Sequence, residues 1–492
     1  MVITTCGLLF AMLCFAAQET DAEPRPPVEG DYFEIVTLEI PDGVVLEVSG
    51  IAVLSDGRPM VATRRGEIYL LDDAYHPEGR AEFQLIAEGL QEPLGLLLHE
   101  GWTYVGQRGE LSRMRDVDGD DRIDELETIC DVWRVSGNYH EYLFGPRLGP
   151  EGNLWITTNK PFGGEPFGQA HWRGFALRIT PEGEMLPTCC GLRSPAGIET
   201  SPWGDVFYTD NQGEWCGASK LSHLEPGDFH GHPHGVFSCE LSEWPYEVPR
   251  NIPQRKLMPR VHEDVESFKL PAVWFPYDKM GKSPAGMVWD TSEGAFGPFA
   301  GQLFVSDQHH ASVMRVCLER VNGHWQGAAF PFRHGFQCGI VRLAWGADHS
   351  LFAGMTNRGW GGLGNSPYGL QRLIWTGAIP FEIHTMSALA DGFVLSFTRA
   401  ADPAAADPAS YSLESYTYEL HPDYGSDEMD REEPRIVAAT LSADTLSVRL
   451  RVEGLRAGYV HELHAPGVRA ASGEALLHDA AYYTLIEIPR GE

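Results

Sequence analysis

Short apolar runs recur along the first three-quarters of the chain, each entered by Gly or Ala and followed by a Gly-containing turn and a second β-rich run. They stand at Gly50-Ile51-Ala52-Val53 with Met60-Val61-Ala62, at Gly95-Leu96-Leu97-Leu98 with Trp102-Thr103-Tyr104-Val105, and at Leu148-Gly149-Pro150 with Leu154-Trp155-Ile156. Further copies are Ala196-Gly197-Ile198 with Val206-Phe207-Tyr208, Ala285-Gly286-Met287-Val288 with Leu303-Phe304-Val305, and Arg342-Leu343-Ala344-Trp345 with Leu351-Phe352-Ala353. Apolar runs this short, bounded by turn residues, predict strands. Six copies predict a six-bladed β-propeller over 31–378. Their spacing, roughly 45–90 residues, exceeds one minimal blade, so long inserted loops are expected on one face. The largest lies between Gly217 and Pro284, carries Phe229-His230-Gly231-His232-Pro233-His234, and is expected to cover that face.

After Ile379 the pattern changes to strict alternation, as in Gly392-Phe393-Val394-Leu395-Ser396-Phe397 and Thr445-Leu446-Ser447-Val448-Arg449-Leu450-Arg451. This predicts a small Ig-like β-sandwich over 380–490, making the whole chain all-β and placing the sandwich away from the chemistry. The polar run Asp423 to Glu433 and the Ala/Asp/Pro-rich run Ala400 to Ala409 are expected to be surface loops without chemistry.

At the N-terminus, the apolar run Leu8 to Ala17 and the small-residue site Thr20-Asp21-Ala22 predict a signal peptide over 1–22 and a periplasmic or extracellular protein. Leu13-Cys14 offers lipoprotein anchoring as the lesser alternative. No later stretch reaches the roughly 18–20 apolar residues of a membrane span, so no transmembrane segment is expected in the mature chain.

Composition narrows the function classes. The 492 residues hold 37 Lys and Arg against 69 Asp and Glu, a formal charge of −32, which repels nucleic acid and anionic membrane alike. Removing Cys6 and Cys14 from nine cysteines leaves an odd seven, so full pairing is excluded. No C-x-x-C-H or paired C-x-x-C stands in the chain, which excludes these haem and zinc motifs. Electrons leaving such a protein need an outside acceptor.

Several constellations carry candidate chemistry. Asp116, Asp118, Asp120 and Asp124, with the carbonyl of Arg122, present oxygen ligands at a spacing that suits calcium in a hairpin loop. The bland alternative is an acidic solvated hairpin. His140, in Asn138-Tyr139-His140-Glu141, stands just before a strand, where a histidine serves either as a general base or as a hydrogen-bonded structural residue. Arg193, Asp210, Asn211, Gln212, Gly213 and Trp215 cluster at blade loops, a density that suits an oxygen-rich ligand, although Arg193 with Asp210 also reads as a structural ion pair. Asp307-Gln308-His309-His310 and the trio His230, His232 and His234 admit a metal or a solvated-loop reading.

Taken in order, Asn138-Tyr139-His140, His171-Trp172-Arg173-Gly174, Gly191-Leu192-Arg193-Ser194-Pro195-Ala196-Gly197 and Tyr208-Thr209-Asp210-Asn211-Gln212-Gly213 resemble the glucose/sorbosone dehydrogenase-like propellers of the soluble quinoprotein dehydrogenase superfamily, in their secreted, planctomycete-type branch. The resemblance covers roughly Asp31 to Thr376. It implies pyrroloquinoline quinone on the propeller axis and a loop histidine that removes a sugar hydroxyl proton. His140 matches that histidine, and Arg193 matches the arginine of an Arg-Asn-Pro-x-Gly motif in which Ser194 here replaces Asn. Gln212-Gly213 match a Gln-Gly pair near the cofactor, and Asn211 joins them. The family's cofactor lysine falls by register at His309, an imidazole in place of a permanent charge.

The expected function is an exported oxidoreductase acting on a sugar or polyol through pyrroloquinoline quinone, with His140 as base and Arg193 stabilising negative charge. Arg193, Asn211, Gln212, Gly213 and His309 are expected at the cofactor, and Arg173, Asp210 and Trp215 at the substrate. Calcium is the structural cofactor, and a periplasmic cytochrome or cupredoxin is the electron partner. The alternatives are a non-catalytic carbohydrate-binding propeller and a glycan lyase or hydrolase in the same cavity.

Overall fold

The computed structural model describes residues 25–163 and 170–491, so the expected signal peptide, with Cys6 and Cys14, lies outside the described residues. The described chain is all-β, its helical pieces being short 3-10 turns, and no helix of it is long and apolar enough to cross a membrane. Four-stranded antiparallel sheets repeat in chain order. The first holds Val48–Val53, Pro59–Thr63, Ile68–Asp72 and Glu82–Ala87; the second spans 96–130, the third 143–190, the fourth 195–275, and the fifth begins with four strands over 284–333. The sixth is completed from both ends of this region: Ile340–Trp345, Leu351–Thr356 and Tyr368–Trp375 are joined by Phe33–Thr37, with Phe33 opposite Trp375 and Thr37 opposite Gln371.

The first strand of each sheet packs on the first strand of the next, and Ile340–Trp345 returns to Val48–Val53. That is the arrangement of a β-propeller, and it explains the recurring glycines. A Cβ on Gly95 would lie 2.2 Å from the carbonyl oxygen of Gly145, and one on Gly197 1.9 Å from that of Ala285, so adjacent inner strands approach only where a side chain is missing. The third copy of the repeat is centred on Gly145, inside Leu143–Leu148, and not on the turn after Leu148 where the sequence pattern placed it.

The C-terminal strands do not stand apart as expected. Ile383–Leu389, Gly392–Phe397, Ser447–Glu453 and Arg435–Leu441 form one sheet, but Ala480–Leu485, Tyr459–His464, Ser412–Thr417 and Met429–Glu432 extend the fifth sheet, with Ala328 opposite Tyr483. Phe330, Phe393, Leu395, Leu450, Leu463 and Tyr483 are buried in one core between them. Alternation in Ser447–Glu453 serves this: every second residue is buried.

The long insertion after Gly217 is tied to the same region. Its Lys256–Leu257 pairs with Glu419–Leu420, and its Trp244, Met258 and Val261 share a core with Tyr416 and Tyr418.

Candidate active site

At the end of the ring where first strands begin and second strands end lies a cavity of about 250 Å³. Its position follows from a device used twice. Asp210 ends Val206–Asp210, is fully buried, and accepts the backbone N–H of Arg193 at 3.0 Å, of Ser194 at 2.6 Å and of Asn211 at 3.0 Å. Asp307 ends Leu303–Asp307 in the next sheet and accepts the N–H of Lys282 at 2.7 Å, of Ser283 at 2.8 Å and of His310 at 2.7 Å. Each carboxylate thus holds the chain segment entering its sheet. Arg193-Ser194 and Lys282-Ser283 are presented to the cavity by the same backbone geometry.

Of the residues expected at the site, His140, Arg193, Asn211 and Gln212 line the cavity together. His140 packs edge-on to Phe162, ring centroids 4.4 Å apart. Burial, reinforced by the charges of Arg193, Lys160, Arg108 and Arg64, pulls its pKa down to about 4, so it is a neutral imidazole at pH 7. In ligand-free protein the ring is therefore expected to titrate near pH 4. It should move upward when an anion fills the cavity and offsets those charges, a shift readable by histidine NMR; a ring titrating unmoved near 6.5 in both states would contradict this.

Arg193 donates through Nε and Nη2 to Glu214 at 3.1 and 2.9 Å. Lys160 pairs with the other oxygen of Glu214. Against the burial that would raise it, the His232 hydrogen bond and the Arg193 and Lys160 charges hold the Glu214 carboxyl well below its ordinary range. Gly213 makes room for this pair: a Cβ there would lie 1.9 Å from Arg193 Nε. Buried Tyr142 Oη, Asn211 Oδ1 and Gln212 Oε1 find no hydrogen-bond partner among the described residues, so the walls hold polar atoms ready for a ligand. The floor is closed by Arg342, whose guanidinium donates to the carbonyls of Leu94 at 2.7 Å and Ala196 at 2.9 Å.

Five expected site residues take other places; Gly213 lies against the Arg193 guanidinium and does not itself line the cavity. Arg173 is fully buried outside the cavity and donates to the carbonyls of Arg134, Glu141, Tyr142 and Arg108 at 2.8–3.1 Å. It braces the loop that carries His140. Arg173→Ala would take the side-chain donor from the Arg134 and Glu141 carbonyls, while those of Tyr142 and Arg108 keep the Asn159 N–H and Trp133 Nε1–H, an expected loss of about 2–4 kcal/mol in denaturant unfolding; a loss under 1 kcal/mol would reject the bracing role. Asp210 faces backbone N–H groups, as described, in place of substrate. Trp215 packs against the core shared with Trp172 and Trp244 and does not line the cavity. His309 is also outside the lining, its Nδ1 lying 2.8 Å from the carbonyl of Gly361. The ammonium at this end of the cavity belongs to Lys282.

Other lining residues escaped the sequence reading: Arg64, Phe162, Arg358, Trp360 and Tyr424. Lys282 was within reach, because Arg193-Ser194-Pro195-Ala196-Gly197 and Lys282-Ser283-Pro284-Ala285-Gly286 are one repeated phrase. Tyr424 had no signal. It sits in the C-terminal polar run expected to lack chemistry, and is brought in by a bridge to Glu214 and by the Gly425 N–H bond to the carbonyl of Gly213.

In the acidic hairpin, one carboxylate oxygen from each of Asp116, Asp118 and Asp120 lies within 4.8 Å of the others. Asp124 is not part of this group; its carboxylate accepts the N–H of Val117 at 2.8 Å. The Arg122 N–H is bound to Asp120 at 2.9 Å.

Residues 45–236 match a family model described as a domain of unknown function, DUF7133. No curated protein matches the chain. Among solved structures, the calcium structure of the Trichoderma reesei carbohydrate-active enzyme of family AA12 is 14% identical, with 71% of this chain and 97% of that one covered and a TM-score of 0.51. The iodide structure of the same family AA12 protein gives 13% identity, 71% and 98% coverage and 0.51. The PQQ-bound form of an aldose sugar dehydrogenase from Streptomyces coelicolor is 16% identical, with 71% and 99% covered and a TM-score of 0.47. At these identities the likeness to the family AA12 structures is one of fold.

Proposed function

We propose that this chain is an exported sugar or polyol oxidoreductase of the glucose/sorbosone dehydrogenase-like kind, in its planctomycete-type secreted branch. Its propeller has six blades over 31–378, and a sandwich over 380–490 shares a sheet with the fifth. The observation that carries the reading is the convergence of neutral His140, Arg193 and the unpartnered amide oxygens of Asn211 and Gln212 on one cavity. The two family AA12 structures, carbohydrate-active enzymes by name, lend support through their shared fold.

The cavity fits a planar polyanionic group such as pyrroloquinoline quinone. Arg64, Arg193, Lys282 and Arg358 line it against one lining carboxylate, Glu214, and Phe162, Trp360 and Tyr424 give it aromatic walls. Arg193 and Lys282 would hold anionic oxygens, and such a group, when bound, supplies a two-electron acceptor. His140 takes the substrate hydroxyl proton at its free ring nitrogen as the carbon–oxygen bond becomes a carbonyl. Asn211 and Gln212 accept hydrogen bonds from sugar hydroxyls through their amide oxygens and fix the sugar's orientation, and the Arg342 floor keeps the cavity closed toward the ring's far end. A periplasmic cytochrome or cupredoxin would receive the electrons.

The test is direct. Full-length protein incubated with pyrroloquinoline quinone and a sugar panel should reduce a dye acceptor, with quinone retained through gel filtration. A second reading, carbohydrate binding without catalysis, is favoured by the pairing of cavity cations with protein carboxylates, as in Arg64 with Glu92 and Arg358 with Glu47. Sugar binding with neither quinone retention nor dye reduction would decide for it.

Calcium belongs to the proposal as a staple of the Asp116 hairpin, where Asp116, Asp118 and Asp120 offer hard oxygen ligands. Millimolar calcium is expected to raise the melting temperature by a few degrees through mass action, and Asp118→Asn to remove that rise. Melting unaffected by calcium or chelator would eliminate this role.

A further inference from the structure

Away from the cavity, three side chains from distant positions in the chain meet at one point. Glu29 lies in the turn before Phe33–Thr37, His334 directly follows His324–Arg333, and His478 precedes Ala480–Leu485. None of the three lines the cavity. Glu29 Oε1 lies 2.8 Å from His334 Nδ1 and 2.9 Å from His478 Nε2, and the three ligand atoms all fall within 4.8 Å of one another. The other Glu29 oxygen is already occupied, accepting the His334 backbone N–H at 2.7 Å and facing Arg333 Nη1 at 3.4 Å. The second nitrogen of His478, Nδ1, is 2.7 Å from Glu382 Oε1.

As neutral imidazoles the histidines cannot satisfy this geometry. A neutral imidazole has one N–H and one lone pair, yet both nitrogens of His478 face carboxylate oxygens, and two rings aim at the same oxygen of Glu29. A divalent cation satisfies every atom at once. His478 Nε2, His334 Nδ1 and Glu29 Oε1 turn lone pairs to the metal, and His478 Nδ1–H donates to Glu382, the outer carboxylate that metal-bound histidines commonly keep. Two positive charges then meet the two carboxylates. Opening the donor separations to about 3.3 Å gives tetrahedral bonds of 2.0–2.1 Å, a small side-chain rotation. His334 is exposed, leaving a fourth position for water, and a surface pocket lined by Pro331, Leu477, His478 and Asp479 provides a way in.

We infer that Glu29, His334 and His478 form a structural zinc site, with Glu382 behind His478, that staples the start of the propeller to its fifth sheet and to the C-terminal strands. Two imidazoles and a carboxylate are the donor set of zinc-class ions, in contrast to the all-oxygen hairpin of Asp116.

The test uses the full chain, stripped with chelator and dialysed against micromolar Zn²⁺. Wild type should retain one zinc more per chain than His334→Gln or Glu29→Gln, while His309→Gln, which alters the separate group of Asp278, His309 and His310, should not lower the count at this site. Co²⁺ in place of Zn²⁺ should give intense visible absorption typical of four-coordination, lost in His478→Gln, and Glu382→Gln should weaken affinity about tenfold or more. His334 is exposed, so its substitution keeps the test valid even if the buried His478 variant does not fold. Equal zinc retention by wild type and His334→Gln, or wild type that takes up Co²⁺ without this absorption, would overturn the inference and leave a charged histidine–carboxylate clamp.

Discussion

Replacing His140 by alanine should lower sugar oxidation about 10²–10⁴-fold while leaving cofactor and sugar binding within a few-fold of wild type. The imidazole is the neutral proton acceptor in a cavity whose other lining bases are cations or amides, with the Glu214 carboxylate held by Arg193 and Lys160. Its removal takes away a group that acts on the reacting hydroxyl and touches little that holds the loop in place. The loop is fixed instead by Arg173 and by the Glu141 carboxylate, which accepts the N–H groups of Ser136, Gly137 and Asn138. Steady-state kinetics with quinone-loaded protein would separate kcat from KM; a variant that keeps most of its kcat would remove His140 from the chemistry.

Asp210→Ala should cause the largest loss of stability at the site, about 3–5 kcal/mol in denaturant unfolding. Three backbone N–H groups lose their acceptor where water cannot replace it. Because two of them belong to Arg193 and Asn211, ligand affinity should fall with stability. Asp210→Asn keeps one acceptor oxygen and should lie between the two. Burial raises the Asp210 pKa from its ordinary value, against the Lys220 charge and the N–H groups of Arg193 and Ser194. Burial therefore costs the charged form more than the Lys220 charge and these N–H groups return, and what Asp210 contributes to the fold is its hydrogen bonds to the backbone. An alanine variant within 1 kcal/mol of wild type would show that the loop holds itself.

How far the sequence reached can be judged from individual residues. The propeller arrangement was legible because close approach of inner strands demands missing side chains, so glycines such as Gly95 and Gly197 mark each inner strand in the sequence itself. His140, Arg193 and Gln212 were legible because they flank strand ends, where side chains of a ring of sheets converge. Arg173 was misread for a physical reason: an arginine beside a strand bonds equally well to a substrate carboxylate or to backbone carbonyls, and only the path of residues 134–142 decides which. His309 was misplaced because register along one strand does not say which face of a turn its end presents. Trp360 and Tyr424 were out of reach, since their positions depend on loops placed by packing between distant parts of the chain.

The pairing of Phe33–Thr37 with Tyr368–Trp375 also sets an order of events in the life of the molecule. The strand Phe33–Thr37 is made long before the strand it pairs with. At 5–20 residues per second it waits on the order of tens of seconds before Trp375 exists. Loop closure over that distance is entropically slow, and the unpaired edge of Tyr368–Trp375 is exposed until it occurs. A chain with this topology cannot shut its ring until Tyr368–Trp375 has been made, so ring closure is a late, long-range step of folding.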